Sequence, residues 1–333
     1  MAAQAASRDA SLETLIGAAQ FDVPAWQRFA DALGADHANR PAGDPAIFRQ
    51  RIVSESVLDA QRAELRAHAR PLARRERTGR IRLIHGEPAD ILLDLAKPLA
   101  RLVALGRSNE ANLLANRYVD VVPQGATGWA LLPLYLSLSA ENPMLAEAVL
   151  APATSRLVAI GGLSGVGKSS LARLVGARLG RVPGARVLRS DVFRKRLAGL
   201  HPETRLAPAH YTRRSDQQTY EALFESADDH LACGNCVILD AVFMSRSERD
   251  VAEAIAHRAR VPFTGIWLEA PERDRIARVD SRMGDASDAG AQVVREQSRR
   301  SVGELAGWHR IRANRPQEAI VAAARAALDR KQR

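Results

Sequence analysis

The sequence predicts an α/β protein in which a doubly wound parallel sheet, built from residues 151–333, follows a mostly α-helical domain, residues 1–150. A glycine-rich motif near the middle of the chain lies between a short apolar run and a helical pattern. Further apolar runs alternate with helical patterns after it, which is typical of parallel sheets. Before it, apolar residues recur every three or four positions between Pro/Gly breaks, and a length of 333 residues suits two domains.

The central motif matches G-x-x-x-x-G-K-[ST], the P-loop that cradles phosphate groups. Residues 156–161 precede it as an apolar run, and Leu171, Leu174, Val175 and Leu179 follow at helical spacing, so strand, loop and helix come in the required order. The residues predicted to bind the nucleotide are Gly162, Leu163, Ser164, Gly165, Val166, Gly167, Lys168, Ser169 and Ser170.

The chemistry of this motif predicts ATP and Mg²⁺ as its ligands. Gly162, Gly165 and Gly167 carry no side chains, so backbone amides can surround phosphate oxygens, and the following helix points its positive dipole end at them. Lys168 is expected to reach the β- and γ-phosphates and to act in catalysis. Ser169 offers its hydroxyl to Mg²⁺.

Residues 187–191 are interpreted as the second strand, with Asp191 at its carboxyl end, the edge at which ligands bind in such sheets. Asp191 and Arg194 form D-x-x-R at the start of the next helix. Asp191 is predicted to accept the proton of an acceptor hydroxyl, and Arg194 to hold an acidic group of the acceptor. The alternative is that Asp191 only caps that helix.

Asp240 ends the third apolar run, which begins at Cys236. Its position resembles that of a Walker-B aspartate, which holds Mg²⁺ through water. Alternatively, Asp240 orders the P-loop lysine or the acceptor.

The fourth run, residues 265–271, leads into a helix predicted over residues 272–282, where Arg278 and Arg282 share one face. Their position resembles that of the lid arginines in small-molecule kinases, which implies that Arg278 and Arg282 neutralise the transferred phosphoryl group. A solvated arginine face is the alternative. Residues 284–288 are interpreted as a lid tip whose acidic pair, Asp285 and Asp288, caps the next helix, and residues 308–312 as the fifth strand.

The helical half contains a strongly basic run, residues 70–82, interpreted as a solvated face or loop. It is followed by His85, Gly86 and Glu87. Residues 12–150 resemble the C-lobe of aminoglycoside-phosphotransferase-like proteins, of a subfamily fused to a P-loop kinase domain, whose catalytic loop reads H-G-D-x-H-x-x-N. Glu87 replaces the catalytic Asp, no Asn follows at the required position, and too few residues precede Ser11 for an ATP-binding lobe. The resemblance therefore implies a truncated, degenerate lobe that packs or positions substrate.

Residues 151–333 resemble AAA-type ATP-binding proteins of the P-loop kinase group that includes gluconate and shikimate kinases, chloramphenicol phosphotransferase, zeta toxins and polynucleotide 5′-hydroxyl kinase. The resemblance implies an ATP-dependent kinase with an alcohol group as acceptor. Polynucleotide kinase has S-x-D-x-x-R at the second strand, whereas Arg189 stands here in place of that Ser. We therefore expect a small-molecule hydroxyl acceptor. The alternatives are a nucleic-acid 5′ end, a sugar nucleotide phosphorylated by a toxin-like kinase, or an ATP-binding switch with little transferase activity.

The charge and cysteine content leave the class of acceptor open. Residues 1–150 are neutral, with 17 Lys/Arg and 17 Asp/Glu, so the net charge of +10 belongs to residues 151–333. Excess Arg suits an anionic partner, but it equally fits a compositional bias toward Arg and Ala.

Cys233 and Cys236 form a lone C-x-x-C, too little for a zinc site and interpreted as ordinary thiols. With no long apolar run and no leader pattern, the sequence predicts a cytoplasmic protein that does not enter a membrane.

Overall fold

The computed structural model describes residues 12–18, 21–281 and 286–330, without the side chain of Pro208. The chain divides into two compact units. The first contains Met1–Ala153 and Arg181–Gly184, and the second contains Thr154–Gly180 and Ala185–Arg333. The functional division predicted at residues 150 and 151 stays a prediction, and no sequence pattern indicated the excursion of residues 181–184.

The first unit is helical apart from one hairpin. Residues 12–17 are helical, and the elements that follow are α1 (Val23–Asn39), α2 (Pro45–Glu55), α3 (Asp59–Ala67), α4 (Ala69–Arg77), β1 (Ile81–Ile84), β2 (Glu87–Asp90), α5 (Ile91–Ala104), α6 (Ser108–Val121), α7 (Gly125–Leu138) and α8 (Pro143–Ala148). Asp22 and Asp44 start α1 and α2 by accepting hydrogen bonds from backbone amides, and a proline follows in each first turn. Leucine-rich faces of α5, α6 and α7 form the core of this unit.

The basic run of residues 70–82 forms a helix rather than a loop, and its interpretation as a solvated face holds for the exposed residues Arg70, Arg74 and Arg77 but is wrong for Arg75. Most of it forms α4 and the start of β1, and Arg75 is 5% exposed. The Arg75 guanidinium donates to both carboxylate oxygens of Asp90, at 2.5 and 2.7 Å, and to Gln124 at 2.9 Å. Tyr135 donates to the same carboxylate at 3.0 Å. Arg75 is buried because Asp90 and its neighbours satisfy its donors.

The second unit contains β3 (Leu157–Gly161), α9 (Lys168–Gly176), β4 (Arg186–Arg189), α10 (Ser190–Leu197), a 3₁₀ turn (Pro208–His210), α11 (Arg213–Ala232), β5 (Val237–Asp240), α12 (Arg246–Ala259), β6 (Phe263–Glu269), α13 (Glu272–Asp280), α14 (Ala291–Ser298), β7 (Trp308–Arg312) and α15 (Gln317–Asp329). None of the helices within the described ranges of the chain is both long and apolar enough to cross a membrane.

The five strands of this unit form one sheet in the order β4-β5-β3-β6-β7, with every neighbouring pair parallel. Leu157 and Ala159 of β3 pack into one apolar cluster, which contains residues of α11 and α12. Val158 and Ile160 pack into a second cluster, which contains residues of α9 and α15. Because side chains alternate along a strand, both faces of the sheet are covered by helices, and the predicted doubly wound fold is confirmed.

Candidate active site at the carboxyl edge of the sheet

The P-loop joins the carboxyl end of β3 to the first residue of α9. Gly162, Gly165 and Gly167 have φ values of 139°, 83° and 102°, which lie in the region that favours glycine. A Cβ at Gly162 would meet the Leu268 carbonyl oxygen at 2.6 Å. At Gly165 it would meet the Arg275 carbonyl oxygen at 2.5 Å. Two of the three glycines are therefore required by the packing of the loop as well as by its backbone conformation.

Five of the nine predicted nucleotide-binding residues line the cleft, and Gly162 is not among them. Those that line the cleft beside the loop are Ser164, Gly165, Gly167, Lys168 and Ser169. The side chains of Leu163 and Val166 pack against the two apolar clusters, and Ser170 is exposed on α9. Leu163 and Val166 can therefore serve a ligand only through their backbone.

The side chains of Lys168 and Gln297 form hydrogen bonds with the backbone at the start of the P-loop. Lys168 Nζ donates to the carbonyl oxygens of Gly162, at 2.8 Å, and Leu163, at 3.4 Å. The Ser164 amide donates to Gln297 Oε1 of α14 at 2.8 Å. One backbone amide of the P-loop therefore donates its hydrogen bond to a residue that is distant in the sequence.

The cleft has a volume of about 950 Å³ and extends from the P-loop between α10, α11, the first turn of α12 and α14. Its charged lining residues are Lys168, Asp191, Arg194, Arg205, Asp216, Asp240, Glu248, Asp288, Glu296 and Arg300. The predicted acceptor residues Asp191 and Arg194 therefore lie in the same cleft as Lys168 and Ser169. This is the carboxyl edge of the parallel sheet, where ligands bind in doubly wound folds.

Asp191 does not end the second strand, contrary to the sequence-based interpretation. β4 ends at Arg189, and Asp191 lies in the first turn of α10. The alternative, that Asp191 caps the helix, is also wrong, because the capping residue is Arg189 and its side chain makes no capping hydrogen bond. The helix starts early because Ser190 and Asp191 both favour a helix N-terminus over a strand.

Asp240 is the last residue of β5, opposite Ile160 of β3 and Arg189 of β4. It is 4% exposed, and its Oδ2 lies 3.4 Å from Arg189 Nε without a hydrogen bond between them. Within the described residues, Asp240 Oδ2 has no hydrogen-bond partner. A buried carboxylate oxygen with this unused accepting capacity suits a hydrated cation beside the P-loop.

Arg278 braces the P-loop from outside the cleft lining. Its guanidinium donates to the Val166 carbonyl at 3.1 Å and to the Ala313 carbonyl after β7 at 2.7 Å. Arg275 is 4% exposed and donates to the Ala270 carbonyl and the Ser298 hydroxyl. The solvated-face alternative is therefore wrong for Arg278, and Arg282 lies outside the described residues.

Asp288 gathers three donors at the wall of the cleft. It accepts from Lys195 Nζ at 3.0 Å, the Leu206 amide at 3.1 Å and the Tyr211 hydroxyl at 2.7 Å. Burial alone would raise the pKa of Asp288, but these hydrogen bonds outweigh it and the pKa is lowered. The prediction that Asp288 caps the next helix is wrong, since Gly290 is the capping residue, and Asp285 lies outside the described residues.

Sequence reasoning missed Tyr211, Tyr220 and Glu248. The hydroxyl of Tyr220 accepts from the Phe243 amide at 2.9 Å, and Glu248 accepts from the Ser245 amide at 3.1 Å. Burial raises the pKa of Glu248 and of Tyr220. The S-x-x-E capping box that starts with Ser245 was visible in the sequence and could have located Glu248 at a helix N-terminus.

The two cysteines are free thiols. Burial raises the pKa of both Cys233 and Cys236, and Cys236 Sγ donates to the Thr154 carbonyl at 3.3 Å. A raised thiol pKa lowers the thiolate fraction and so disfavours redox chemistry. The cytoplasmic location suggested by the cysteine content stays a prediction.

Solved kinases resemble this chain at low sequence identity. A gluconokinase from Sinorhizobium meliloti 1021 is 18% identical, covers 54% of this chain and 95% of its own, and has a TM-score of 0.37. The APS kinase of Mycobacterium tuberculosis, in complex with AMPPNP and APS, is 23% identical over 54% of this chain and 98% of its own, with a TM-score of 0.37. A putative kinase from Chloroflexus aurantiacus is 21% identical over 53% of this chain and 97% of its own, with a TM-score of 0.40.

Two further comparisons concern the sequence. Uncharacterized proteins of Mycobacterium bovis and Mycobacterium tuberculosis are 32% identical over 185 residues, which is 54% of this chain. The matched stretch covers 36% of those relatives, so the chain spans well under half their length. The family model described as AAA domain matches residues 157–303. Every residue that lines the cleft, from Ser164 to Arg300, lies within that matched range.

Proposed function

We propose that this protein is an ATP-dependent kinase that transfers the γ-phosphoryl group of ATP to a hydroxyl group of a small-molecule acceptor. The observation that carries the proposal is the sharing of one cleft by the P-loop residues Lys168 and Ser169 and the carboxylates Asp191 and Asp240. A phosphate-binding loop alone fits a switch or a hydrolase equally well. An acidic side chain in the first turn of α10, in the same cleft, adds the group that an acceptor hydroxyl requires.

The residues fit a nucleotide with its magnesium ion. The amides of the loop and the start of α9 would hold the phosphates, with Lys168 exchanging its present carbonyl partners for phosphate oxygens. Ser169 would ligate Mg²⁺ directly, and Asp240 would hold it through water with its Oδ2, which accepts no hydrogen bond among the described residues. The ion supplies neutralisation of the negative charge on the phosphates.

In the proposed reaction the acceptor oxygen forms a bond to the γ-phosphorus while the bond from that phosphorus to the β,γ-bridging oxygen breaks. Asp191 takes the proton of the acceptor hydroxyl, and ADP leaves with the bridging oxygen. Lys168 stabilises the charge that develops on the transferred group. Arg278 acts by holding the loop in place, and Arg282 is proposed to add a second positive charge from the lid.

Replacing the P-loop lysine tests the proposal. With labelled ATP and a metabolite pool, Lys168→Ala should lower label transfer by about a hundredfold or more, since one electrostatic contact to the transition state is typically worth that much. Lys97→Ala is the matched control, because Lys97 lies on α5 with a half-exposed side chain paired to Asp94. Label transfer that persists in Lys168→Ala contradicts the assignment.

For residues 12–150 we propose a degenerate phosphotransferase lobe without catalytic chemistry. Support comes from the place of the His85–Gly86–Glu87 motif. His85 and Gly86 form the two-residue turn of the β1–β2 hairpin, with φ values of 53° and 87°. The Glu87 carboxylate is 71% exposed and bonded to Arg51 at 2.9 Å. A solvated carboxylate paired with an arginine is a poor general base.

A further inference from the structure

We infer that the acceptor carries no phosphate or carboxylate group, and that the cleft beyond the P-loop is built for a neutral or amine-bearing polyhydroxy compound. The inference rests on the proposed kinase function and names the class of its second substrate. The inference excludes a nucleic-acid end and a sugar nucleotide as acceptors, because both carry phosphate groups into the acceptor site.

The first observation is that both terminal nitrogens of Arg194, the residue expected to hold an acidic acceptor, already have partners within the protein, while its buried Nε has none among the described residues. Its Nη2 lies 2.8 Å from Asp216 Oδ1, and its Nη1 donates to the Ser215 hydroxyl at 3.3 Å. The guanidinium also lies over the ring of Tyr211, with its Cζ 5.2 Å from the ring centroid. Only 12% of the Arg194 side chain is exposed. An acceptor anion would have to displace a protein carboxylate to reach it.

Lys195, a second cation near this end of the cleft, also forms an ion pair with a carboxylate of the protein. Lys195 is 1% exposed, and its ammonium group lies 3.0 Å from Asp288 Oδ1. Asp288 is held in turn by the Leu206 amide and the Tyr211 hydroxyl. These hydrogen bonds hold the carboxylate beside the lysine, and of this pair only Asp288 lines the cleft.

The balance of charge in the lining points the same way. Among the described residues that line the cleft, six are Asp or Glu and four are Lys or Arg, and one of the four is the P-loop residue Lys168. Arg205 and Arg300 are exposed. Glu248 and Glu296 accept hydrogen bonds from neutral donors, the Ser245 amide and the Gln292 side chain. The cleft lining therefore contains more acidic than basic side chains, although residues 151–333 as a whole are basic.

Hydroxyl and ammonium groups suit this wall better than anions do. Carboxylates accept hydrogen bonds from hydroxyl groups and pair with ammonium groups, whereas a second anion is repelled across a partly desolvated cleft. Tyr211 adds an aromatic ring to the wall, and its hydroxyl already donates a hydrogen bond to Asp288. Such a ring offers an apolar surface to the C–H face of a polyol.

The test uses a deproteinised small-molecule extract passed over a strong anion exchanger at pH 7. The flow-through contains neutral and cationic compounds, and the retained pool contains anions. We expect the wild-type protein to transfer label from ATP to a compound in the flow-through. Label found only in a compound of the retained pool, or on an oligonucleotide with a 5′-hydroxyl end, overturns the inference while leaving the kinase function standing. Label in neither pool nor oligonucleotide refutes the proposed function itself.

A pair of variants tests the role of Asp216. Asp216→Asn uncovers Arg194 and should raise transfer to acceptors of the retained pool by about tenfold, the value of one charged hydrogen bond. Asp228→Asn removes the same charge from the same helix, where Asp228 faces Arg258 at 3.6 Å on the surface, and should leave both pools as in the wild type. Equal behaviour of the two variants overturns the claim that Asp216 screens the cleft from anions.

Discussion

A methyl group at Gly165 tests how the P-loop is held. The residue has a φ of +83°, and an added Cβ would lie 2.5 Å from the Arg275 carbonyl oxygen and 3.0 Å from the Arg275 carbonyl carbon. Both obstacles are backbone atoms of α13, so no side chain can rotate away to relieve them. Gly165→Ala therefore forces either the loop or the helix to move.

The expected cost has two parts. Alanine in the left-handed region costs about 1–2 kcal/mol. Overpacking of a filled site adds about 1–3 kcal/mol. The free energy of unfolding of the second unit should therefore fall by about 2–5 kcal/mol. Gly199→Ala is the matched control, because Gly199 has a φ of +70° and nothing lies within 4 Å of its added Cβ. In this variant the free energy of unfolding should fall only by the conformational cost, about 1–2 kcal/mol.

The two variants are compared by urea denaturation and by label transfer from ATP. Because Gly165 lines the cleft, a loop displaced by about 1 Å should lower transfer by about a hundredfold. Gly199→Ala should keep the wild-type rate. Equal losses of stability and of rate in Gly165→Ala and Gly199→Ala would show that the contact between the loop and α13 does not position the phosphate site.

Two further predictions address the helical unit and the cleft wall. Glu87→Gln should leave label transfer unchanged and move the unfolding midpoint little, because its pair with Arg51 is exposed; a loss of about tenfold or more in transfer would show retained chemistry. Asp288 has a folded pKa below its ordinary value of 3.8, so its contribution to stability is present above that value and is lost as the pH falls through the folded pKa. The difference in unfolding free energy between the wild type and Asp288→Asn should therefore be constant near neutral pH and shrink in acid, as measured by urea titrations across that range. A difference that does not change with pH would mean that the partners Lys195 and Tyr211 do not favour the ionised carboxylate.

Local patterns were sufficient for the sheet and the P-loop. β3, α9 and β7 appear where apolar runs, the glycine motif and helical spacing predicted them, because each signal comes from residues that are neighbours in the chain. The end of β4 was wrong by two residues for a physical reason. A strand of four residues carries little periodic signal, and Ser190 begins a helix directly after it.

The roles of charged side chains were harder to predict, because their partners are distant in the sequence. Arg278 donates to the carbonyl of Val166, 112 positions away, and Lys195 to Asp288, 93 positions away. Arg75 appeared solvated only because its partner Asp90 lies across the hairpin. No spacing rule predicts which carboxylate will neutralise which base when the pairing depends on the fold.

This difference explains why the sequence predicts the phosphate donor side and leaves the acceptor open. The donor side is built from backbone amides and consecutive residues, so a motif of eight positions carries nearly all of its chemistry. The proposed acceptor side contains Asp191 and two ion pairs, Arg194–Asp216 and Lys195–Asp288, in which each charge is neutralised by its partner. In D-x-x-R the arginine alone favours an anionic acceptor, whereas Arg194 held by Asp216 favours a neutral or amine-bearing one. The class of acceptor therefore depends on whether the Arg194–Asp216 ion pair is intact when the substrate binds. The Asp216→Asn variant tests this because it removes that ion pair.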